Sequence, residues 1–371
     1  MGTRSNRICS LPILLLYAGL FLPAVTAGAQ TPDASSLISA LRIDSQLDFC
    51  GEKVPLENPE VRERFEKDML LSLWDRPQVI LWLKRANRYL PLIEKALQEA
   101  GLPDDLKYVA LAESALRPHV GSRKGAVGYW QFTAGTARRF GLTVNRYVDE
   151  RRNIVTATAA AIRYLQELHR DYGSWTLAAA AYNMGEGGLT AEILEQGTKN
   201  YYQLYLPLET QRYVFRILSV KLILNDPEKY GFKLKPTELY PPRKFDSIQV
   251  HCADEVPIRL VARAANTYFK VIKDLNPHIR GHYLSQGDHT IVIPKGASTG
   301  FTKRFQDLVD KYRAIQKEQI YIVKEGDNLS LIAERFGVPL AALIIWNRID
   351  MRRPIHPGDR LVVYRQPEDT E

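Results

Sequence analysis

Glu113 stands in an otherwise apolar run, with Val109-Ala110-Leu111-Ala112 before it and Ser114-Ala115-Leu116 after it. A carboxyl held among aliphatic side chains loses hydration, which penalises its charged form and raises its pKa. An acid kept protonated near neutral pH can serve as a general acid, and protonating a glycosidic oxygen requires one. Taken alone, the same residue also reads as a surface glutamate on an Ala-rich helix. Three downstream blocks supply further polar groups: Gly128-Tyr129-Trp130-Gln131-Phe132, Ala181-Tyr182-Asn183-Met184-Gly185-Glu186-Gly187, and Glu209-Thr210-Gln211-Arg212-Tyr213-Val214. Gln131 can donate to and accept from a sugar or the acid. Tyr182 and Asn183 end an apolar stretch at a Gly-rich turn, so their polar tips can face a cleft or bond within the core.

Cleaving a glycosidic bond with water ordinarily takes two carboxyls. Only Glu113 is a convincing candidate; Glu186 is a weaker second, and Asp104, Asp105, Asp149 and Glu150 read as caps or surface charges. The seven His are scattered, no Cys-x-x-Cys pair occurs and no Gly-rich phosphate loop is present, so neither a metal nor a cofactor is expected.

The blocks Glu113-Ser114, Gly128-x-x-Gln131-Phe132, Ala181-Tyr182-Asn183-x-Gly185-x-Gly187 and Glu209-Thr210-x-x-Tyr213-Val214 appear in this order, and together they resemble the catalytic domain of soluble-type lytic transglycosylases, relatives of goose-type lysozyme. The resemblance implies a mainly α, lysozyme-like domain that acts on peptidoglycan glycan strands of N-acetylglucosamine and N-acetylmuramic acid. It implies that Glu113 is the sole acid and that the sugar's own C6 hydroxyl attacks C1, leaving a 1,6-anhydromuramoyl end. Ser122, Gln131, Tyr182, Asn183 and Tyr213 fall where the family has substrate-binding residues. The family often has Met two residues after the Gln, where this chain has Thr133. Two rivals stay open: a hydrolase of the goose-lysozyme kind, with Glu186 or another acid activating water, and a non-catalytic wall-binding scaffold.

A second signal lies further on. Residues 260–287 recur 71 positions later, without a gap, at 331–358. The later copy, Tyr321 to Leu361, resembles a LysM module, and both copies read as strand, two short helices, strand. The resemblance implies N-acetylglucosamine as ligand, held by Gly326, Asp327, Asn328 and Leu329 with Ile355, His356 and Pro357; each also reads as turn chemistry. The earlier copy has Glu255-Val256 where the later has Gly326-Asp327 and is expected to be a degenerate LysM-like fold that binds no sugar.

The elements that must hold these residues follow from period and punctuation. Asn58-Pro59-Glu60 is a helix start, and apolar positions at helical spacing follow it. A second helix around Trp82 to Leu97 ends at Gly101-Leu102-Pro103. Trp74 and Trp82 are expected in the core, with sugar stacking the alternative; of Tyr129 and Trp130, one is expected in the core. Asp104 or Asp105 should cap the helix bearing Glu113 and Pro118 should stop it. Further helices are expected over 133–140, 153–172, 175–182 and 211–224, with no strand pattern between Pro59 and Tyr230. The expected fold class is thus a mainly α lysozyme-like catalytic domain followed by small α+β modules of the βααβ kind. Its parts are 30–100 linker and bracing helices, 101–230 catalytic, 247–296 degenerate module and 319–365 LysM module, with a linker helix over 302–317 between the last two.

At 371 residues the chain is long enough for two or three domains, and its composition, 45% hydrophobic and 25% charged, is that of a globular protein. The net charge of +8 suits an anionic polymer or membrane face; with no basic block longer than a few residues, nucleic acid is not expected as a partner. Arg4 and Arg7, an apolar run from Ile8 to Val25 and Ala27-Gly28-Ala29 form a secretory signal over residues 1–29, which points to the periplasm. No lipoprotein cysteine follows it, so a membrane tether is left open. A monomer is expected. Cys50 and Cys252 remain after signal removal, either as a disulfide or as two free buried thiols.

Overall fold

The computed structural model describes residues 34–43, 46–318, 320–351 and 354–364; the signal segment expected over 1–29 lies outside the described residues. A first unit ending at Arg42 contributes one described helix, α1 (Ala34–Ala40). The second unit, Ile43 onward, opens with a hairpin, β1 (Asp48–Phe49) and β2 (Glu52–Lys53). Eight helices follow: α2 (Pro59–Trp74), α3 (Arg76–Glu99), α4 (Lys107–Ser114), α5 (Ala134–Arg139), α6 (Ile154–Tyr172), α7 (Trp175–Met184), α8 (Glu186–Gln196) and α9 (Leu208–Asn225). Among the described residues no strand, only isolated bridges, interrupts this region, so the expectation of an all-α core holds.

Local chemistry sets the boundaries. The Asn58 side chain accepts from the amides of Glu60 and Val61 at 2.9 and 3.2 Å, with Pro59 at the first helical position. Asn153 caps α6 and Ser174 caps α7 in the same way. Gly173 closes α6 in the left-handed region (φ +70°) that a Cβ would disfavour. The hairpin is stapled to the core: Glu52 accepts from the Ser174 hydroxyl and the Trp175 and Thr176 amides, placing a carboxylate on the positive end of α7. Lys221 of α9 bridges Asp48 and Asp105 at 3.3 and 2.7 Å.

Several expectations give way here. Asp104 and Asp105 do not cap α4; they lie in a 3-10 turn, where Asp104 pairs with Lys107, and Asp105 accepts from the Cys50 amide and binds Lys221. Asp149 is buried rather than a surface charge, because Arg151 closes on it with two bonds of 2.8 and 2.9 Å. Trp82 is in the core, but Trp74, at the end of α2, is 79% exposed. Tyr129 and Trp130 are both buried, and the Trp130 indole donates to the Thr158 hydroxyl at 3.0 Å. The two cysteines are free. Each thiol belongs to different packing, Cys50 at the turn of the hairpin beside Asp105 and Cys252 in the apolar cluster of the first βααβ copy. Burial pushes both thiols up, Cys252 to about 11, so neither is a thiolate at neutral pH.

Beyond α9 the chain builds β3 (Phe245–Cys252), β4 (Val256–Pro257), α10 (Ile258–Ala264), α11 (Phe269–Leu275), β5 (Tyr283–Leu284) and β6 (Gly287–Pro294), then α12 (Phe301–Glu318), and then β7 (Ile320–Ile322), α13 (Leu329–Arg335), α14 (Leu340–Asn347) and β8 (Arg360–Val362). Strand β3 pairs antiparallel with β6, and β7 with β8. Helices α10 and α13 start and stop 71 residues apart, so the register of the repeat is a structural one. Both copies use one device: the Asn276 side chain donates to Ile272 and Val292 carbonyls and accepts from the Val292 amide, and Asn347 does the same with Leu343 and Val362. Helix α12 is more than a linker, since Phe301, Phe305, Val309 and Tyr312 pack into the first copy's core.

Asn276 is fully buried, so Asn276→Ala strands the Val292 amide and its partner carbonyls. It should destabilise that module by about 2–4 kcal/mol, read as a lowered denaturant midpoint; the half-buried Asn347 should cost less.

Among the described residues, no single helix is long and apolar enough to cross a membrane.

Candidate active site

Helix α4 packs against α9, and α9 against α7, which brings three of the four separated blocks together; Ser114 and Tyr182 hold the fourth by bonding the Tyr129 and Trp130 carbonyls. Glu113 sits in the last turn of α4, which ends at Ser114, before Pro118 is reached. Ala115 and Leu116 follow in the left-handed region (φ +51° and +56°) and turn the chain sharply out of the helix. Such angles are costly for side chains with a Cβ and persist where the surroundings over-determine them. Here the Ser114 hydroxyl donates to the Tyr129 carbonyl at 2.7 Å, and the orphan carbonyls of Ser114 and Ala115 accept from Arg117 and Arg85.

Tyr213, 1% exposed, donates its hydroxyl to Glu113 Oε1 at 2.5 Å. Burial pushes the Glu113 carboxyl up to about 7; the Tyr213 hydrogen bond and the Arg216 charge oppose that rise, and Glu209 adds to it. Glu209, Tyr213 and Arg216 are spaced four and three apart on α9, so they share one helical face. Arg212, beside Tyr213, is locked to buried Asp68 of α2 at 2.6 Å, which fixes the rotation of α9.

Tyr182 and Asn183 lie near the end of α7. The Tyr182 hydroxyl donates to the Trp130 carbonyl at 2.6 Å, and burial with the nearby Glu113 charge pushes its pKa well up. Asn183 accepts from the Thr210 hydroxyl at 2.8 Å. Gln131 also has positive φ (+50°), and its NH2 donates to the Val120 and Gly128 carbonyls at 3.1 and 2.8 Å; it is a staple of the loop after α4. Arg151 braces the same loop by donating to Gly125 and Phe132 carbonyls. Ser122 is exposed, and its hydroxyl accepts from the Ala126 amide at 3.1 Å. Thr133 caps α5 through its hydroxyl. Glu186 is engaged by Arg139 at 2.8 Å. The residues that sequence reasoning missed are Arg216 and Thr210. Arg216 is one turn beyond Tyr213, a spacing that could have marked it; nothing local marks Thr210 as the partner of Asn183.

In the later βααβ copy, Val323 exchanges backbone bonds with Gly358 and Asp359 at 2.8 Å, which sets the loop 324–329 beside 355–358. Gly326 turns at φ +83°. Asp327 accepts from the Tyr321 hydroxyl and the Lys324 amide, and Asn328 caps α13. Leu329 and Ile355 pack on the module core, while His356 and Pro357 are exposed, and the His356 amide donates to Asp359. His278 and His282 stand four residues apart but outside a helix, the first buried and the second stacked on Phe269. Among the described residues no group of three or more His, Cys, Asp or Glu could hold a metal ion.

A half-buried glutamate, its pKa raised to about 7 and its carboxyl hydrogen-bonded by a tyrosine, stands in an all-α core with a βααβ repeat behind it. The chain carries a transglycosylase SLT domain, matched at residues 91–205, and a LysM domain, matched at 321–363. Membrane-bound lytic murein transglycosylase D of Escherichia coli (strain K12) is 28% identical over 332 residues, covering 85% of this chain and 72% of that protein. A putative tributyltin chloride resistance protein of Alteromonas sp. (strain M-1) is 35% identical over 117 residues, 31% of this chain and 56% of that one. The 70 kDa soluble lytic transglycosylase of Escherichia coli superposes with a TM-score of 0.34 at 21% identity, over 48% of this chain and 31% of that chain.

Proposed function

We infer that the chain is a peptidoglycan lytic transglycosylase held on the wall by its LysM domain. The observation that carries this is Glu113: half-buried, with its pKa raised to about 7 by desolvation and hydrogen-bonded by Tyr213. As an acid it gives its proton to the O4 leaving oxygen between N-acetylmuramic acid and N-acetylglucosamine. The C6 hydroxyl of the muramic residue then forms the new bond to C1, and the Glu113 carboxylate takes the proton of that hydroxyl. The cycle closes with one acid, no water consumed and a 1,6-anhydro end as product. Ser122, Gln131, Tyr182 and Asn183 line the substrate path in this reading, and Tyr213 positions the acid. The LysM domain takes glycan along Gly326, Asn328 and Leu329 beside Ile355, His356 and Pro357, with Asp327 shaping the loop, and raises the local substrate concentration. Secretion by a cleaved signal into the periplasm completes the reading.

Mass spectrometry of the products from intact peptidoglycan tests it. Anhydro ends, absent with Glu113→Gln, are expected. Reducing ends, heavier by one water, would transfer the case to a hydrolase. Glu209, whose charge Glu113 already feels, would then be the first candidate base, since Glu186 is held by Arg139.

Tyr213→Phe gives a second test. The Tyr213 hydrogen bond favours the carboxylate and holds the Glu113 pKa below where burial alone would put it. Its loss raises that pKa further, so the alkaline limb of the rate profile moves to higher pH while turnover falls by roughly 10- to 100-fold. A lower rate with an unmoved limb would reduce Tyr213 to packing.

A further inference from the structure

The two βααβ copies meet in a cleft that neither makes alone. They are clamped together: the Tyr283 hydroxyl donates to the Trp346 carbonyl at 3.3 Å, and Arg348 pairs with Glu255 while lying 4.0 Å over the Tyr283 ring. The Tyr312 and Tyr364 hydroxyls bond at 2.6 Å, and Trp346 meets Tyr364 edge to face at 5.0 Å. Between the copies a cleft of about 370 Å3 remains, a size usual for small-ligand sites. Phe269 and His282, stacked at 5.4 Å, wall it with Tyr283 on one side, and Ile345 and Trp346 wall it on the other. Arg259 of α10 also lines it. Its guanidinium lies 5.3 and 5.5 Å over the Tyr312 and Tyr364 rings, and among the described residues no carboxylate pairs with it.

Flat aromatic walls bury the C–H faces of a pyranose ring well, and a guanidinium without an ion-pair partner is a ready donor to a carboxylate. We propose that this cleft binds one pyranose residue of a carboxylate-bearing glycan strand, the ring packed between Phe269 and Trp346 and the carboxylate on Arg259. The inference rests on the reading above that glycan is the ligand. It gives the first copy, which lacks the Gly-Asp loop, a binding role as one wall of a shared site. It also adds a contact for a muramic residue whose lactyl carboxylate carries no peptide, which the LysM loops need not provide.

Trp346 is the only tryptophan beyond Trp175, so it reports on the cleft locally. The full chain with Glu113→Gln is labelled with 5-fluorotryptophan, the Trp346 resonance is assigned with Trp346→Phe, and two probes are titrated: N-acetylglucosaminyl-N-acetylmuramic acid and the neutral di-N-acetylchitobiose. The Trp346 signal should move saturably. Arg259→Gln should weaken the muramic probe about fivefold and leave the neutral one unchanged, and Phe269→Ala should weaken both. Signals of Trp74, Trp82, Trp130 and Trp175 verify that each variant is folded. A Trp346 signal that stays still, or moves equally in both variants, overturns the site, because the LysM loops would then account for all binding. Anhydro product from the unsubstituted chain is scored separately. Product with a silent Trp346 refutes the cleft alone, and the expected variant pattern without product supports the cleft while the enzymatic reading fails.

Discussion

Glu113→Gln should lower turnover by about 10³-fold or more while making the protein more stable at neutral and alkaline pH. Both effects come from one carboxyl. The amide cannot give a proton to the leaving oxygen, so the first bond cleavage loses its acid. For stability, the folded state holds the Glu113 proton up to about pH 7, whereas the ordinary value is 4.5. Between those values the folded state binds more protons than the unfolded one, so the group's contribution to stability declines as pH rises through that window and levels off above it. Glutamine does not ionise and still accepts the Tyr213 hydroxyl. Thermal unfolding of the variant and the unsubstituted protein should therefore coincide near pH 4 and separate, variant higher, as pH climbs through 7. Full activity in the variant would end the single-acid mechanism, and melting curves that run parallel with pH would show that Glu113 titrates like an exposed carboxyl.

Much of this was readable because it is periodic or punctuated. Asn58-Pro59, Asn153 and Ser174 announce helices α2, α6 and α7 by satisfying amides that any helix start leaves open. The apolar run around Glu113 announces its desolvation, and the 71-residue offset announces a repeated βααβ unit. What stayed hidden depends on partners that no local pattern marks. Asp149 is an exposed turn residue until Arg151 folds back on it, and Asp105 is a cap until Lys221, over a hundred residues on, claims it. The exposure of Trp74 was hidden too: its composition fits a core, but the following residue, Asp75, turns the chain from α2 into α3. The break after Ser114 is hidden for another reason. Ala115 and Leu116 carry no turn signal, and their left-handed angles are imposed from outside, by Arg85, Arg117 and the Tyr129 carbonyl. Strain gathered beside the acid in this way is common where surrounding structure fixes a reactive group.

Gly128→Ala should be the most damaging small substitution in the loop that carries Gln131. Gly128 has φ +89°, and a Cβ there would lie 1.9 Å from the Arg151 carbonyl oxygen and 2.6 Å from its carbon. Both are backbone atoms, so no rotamer change relieves the clash. Arg151 cannot retreat freely either, since its guanidinium is bonded to buried Asp149 and to the Gly125 and Phe132 carbonyls. Moving the loop instead breaks the Gly128 amide bond to Val120 and disturbs the Trp130 carbonyl that Tyr182 holds. A loss of about 4 kcal/mol or more is expected, with turnover falling if Gln131 and Tyr182, which shift with the loop, bind substrate as proposed. Gly125→Ala, three residues earlier, separates contact from backbone preference: it too has positive φ (+76°) but nothing within 4 Å of its Cβ. It should cost only about 1–2 kcal/mol and leave turnover nearly intact. Equal losses at the two positions would mean that the approach to Arg151 is not what makes Gly128 necessary.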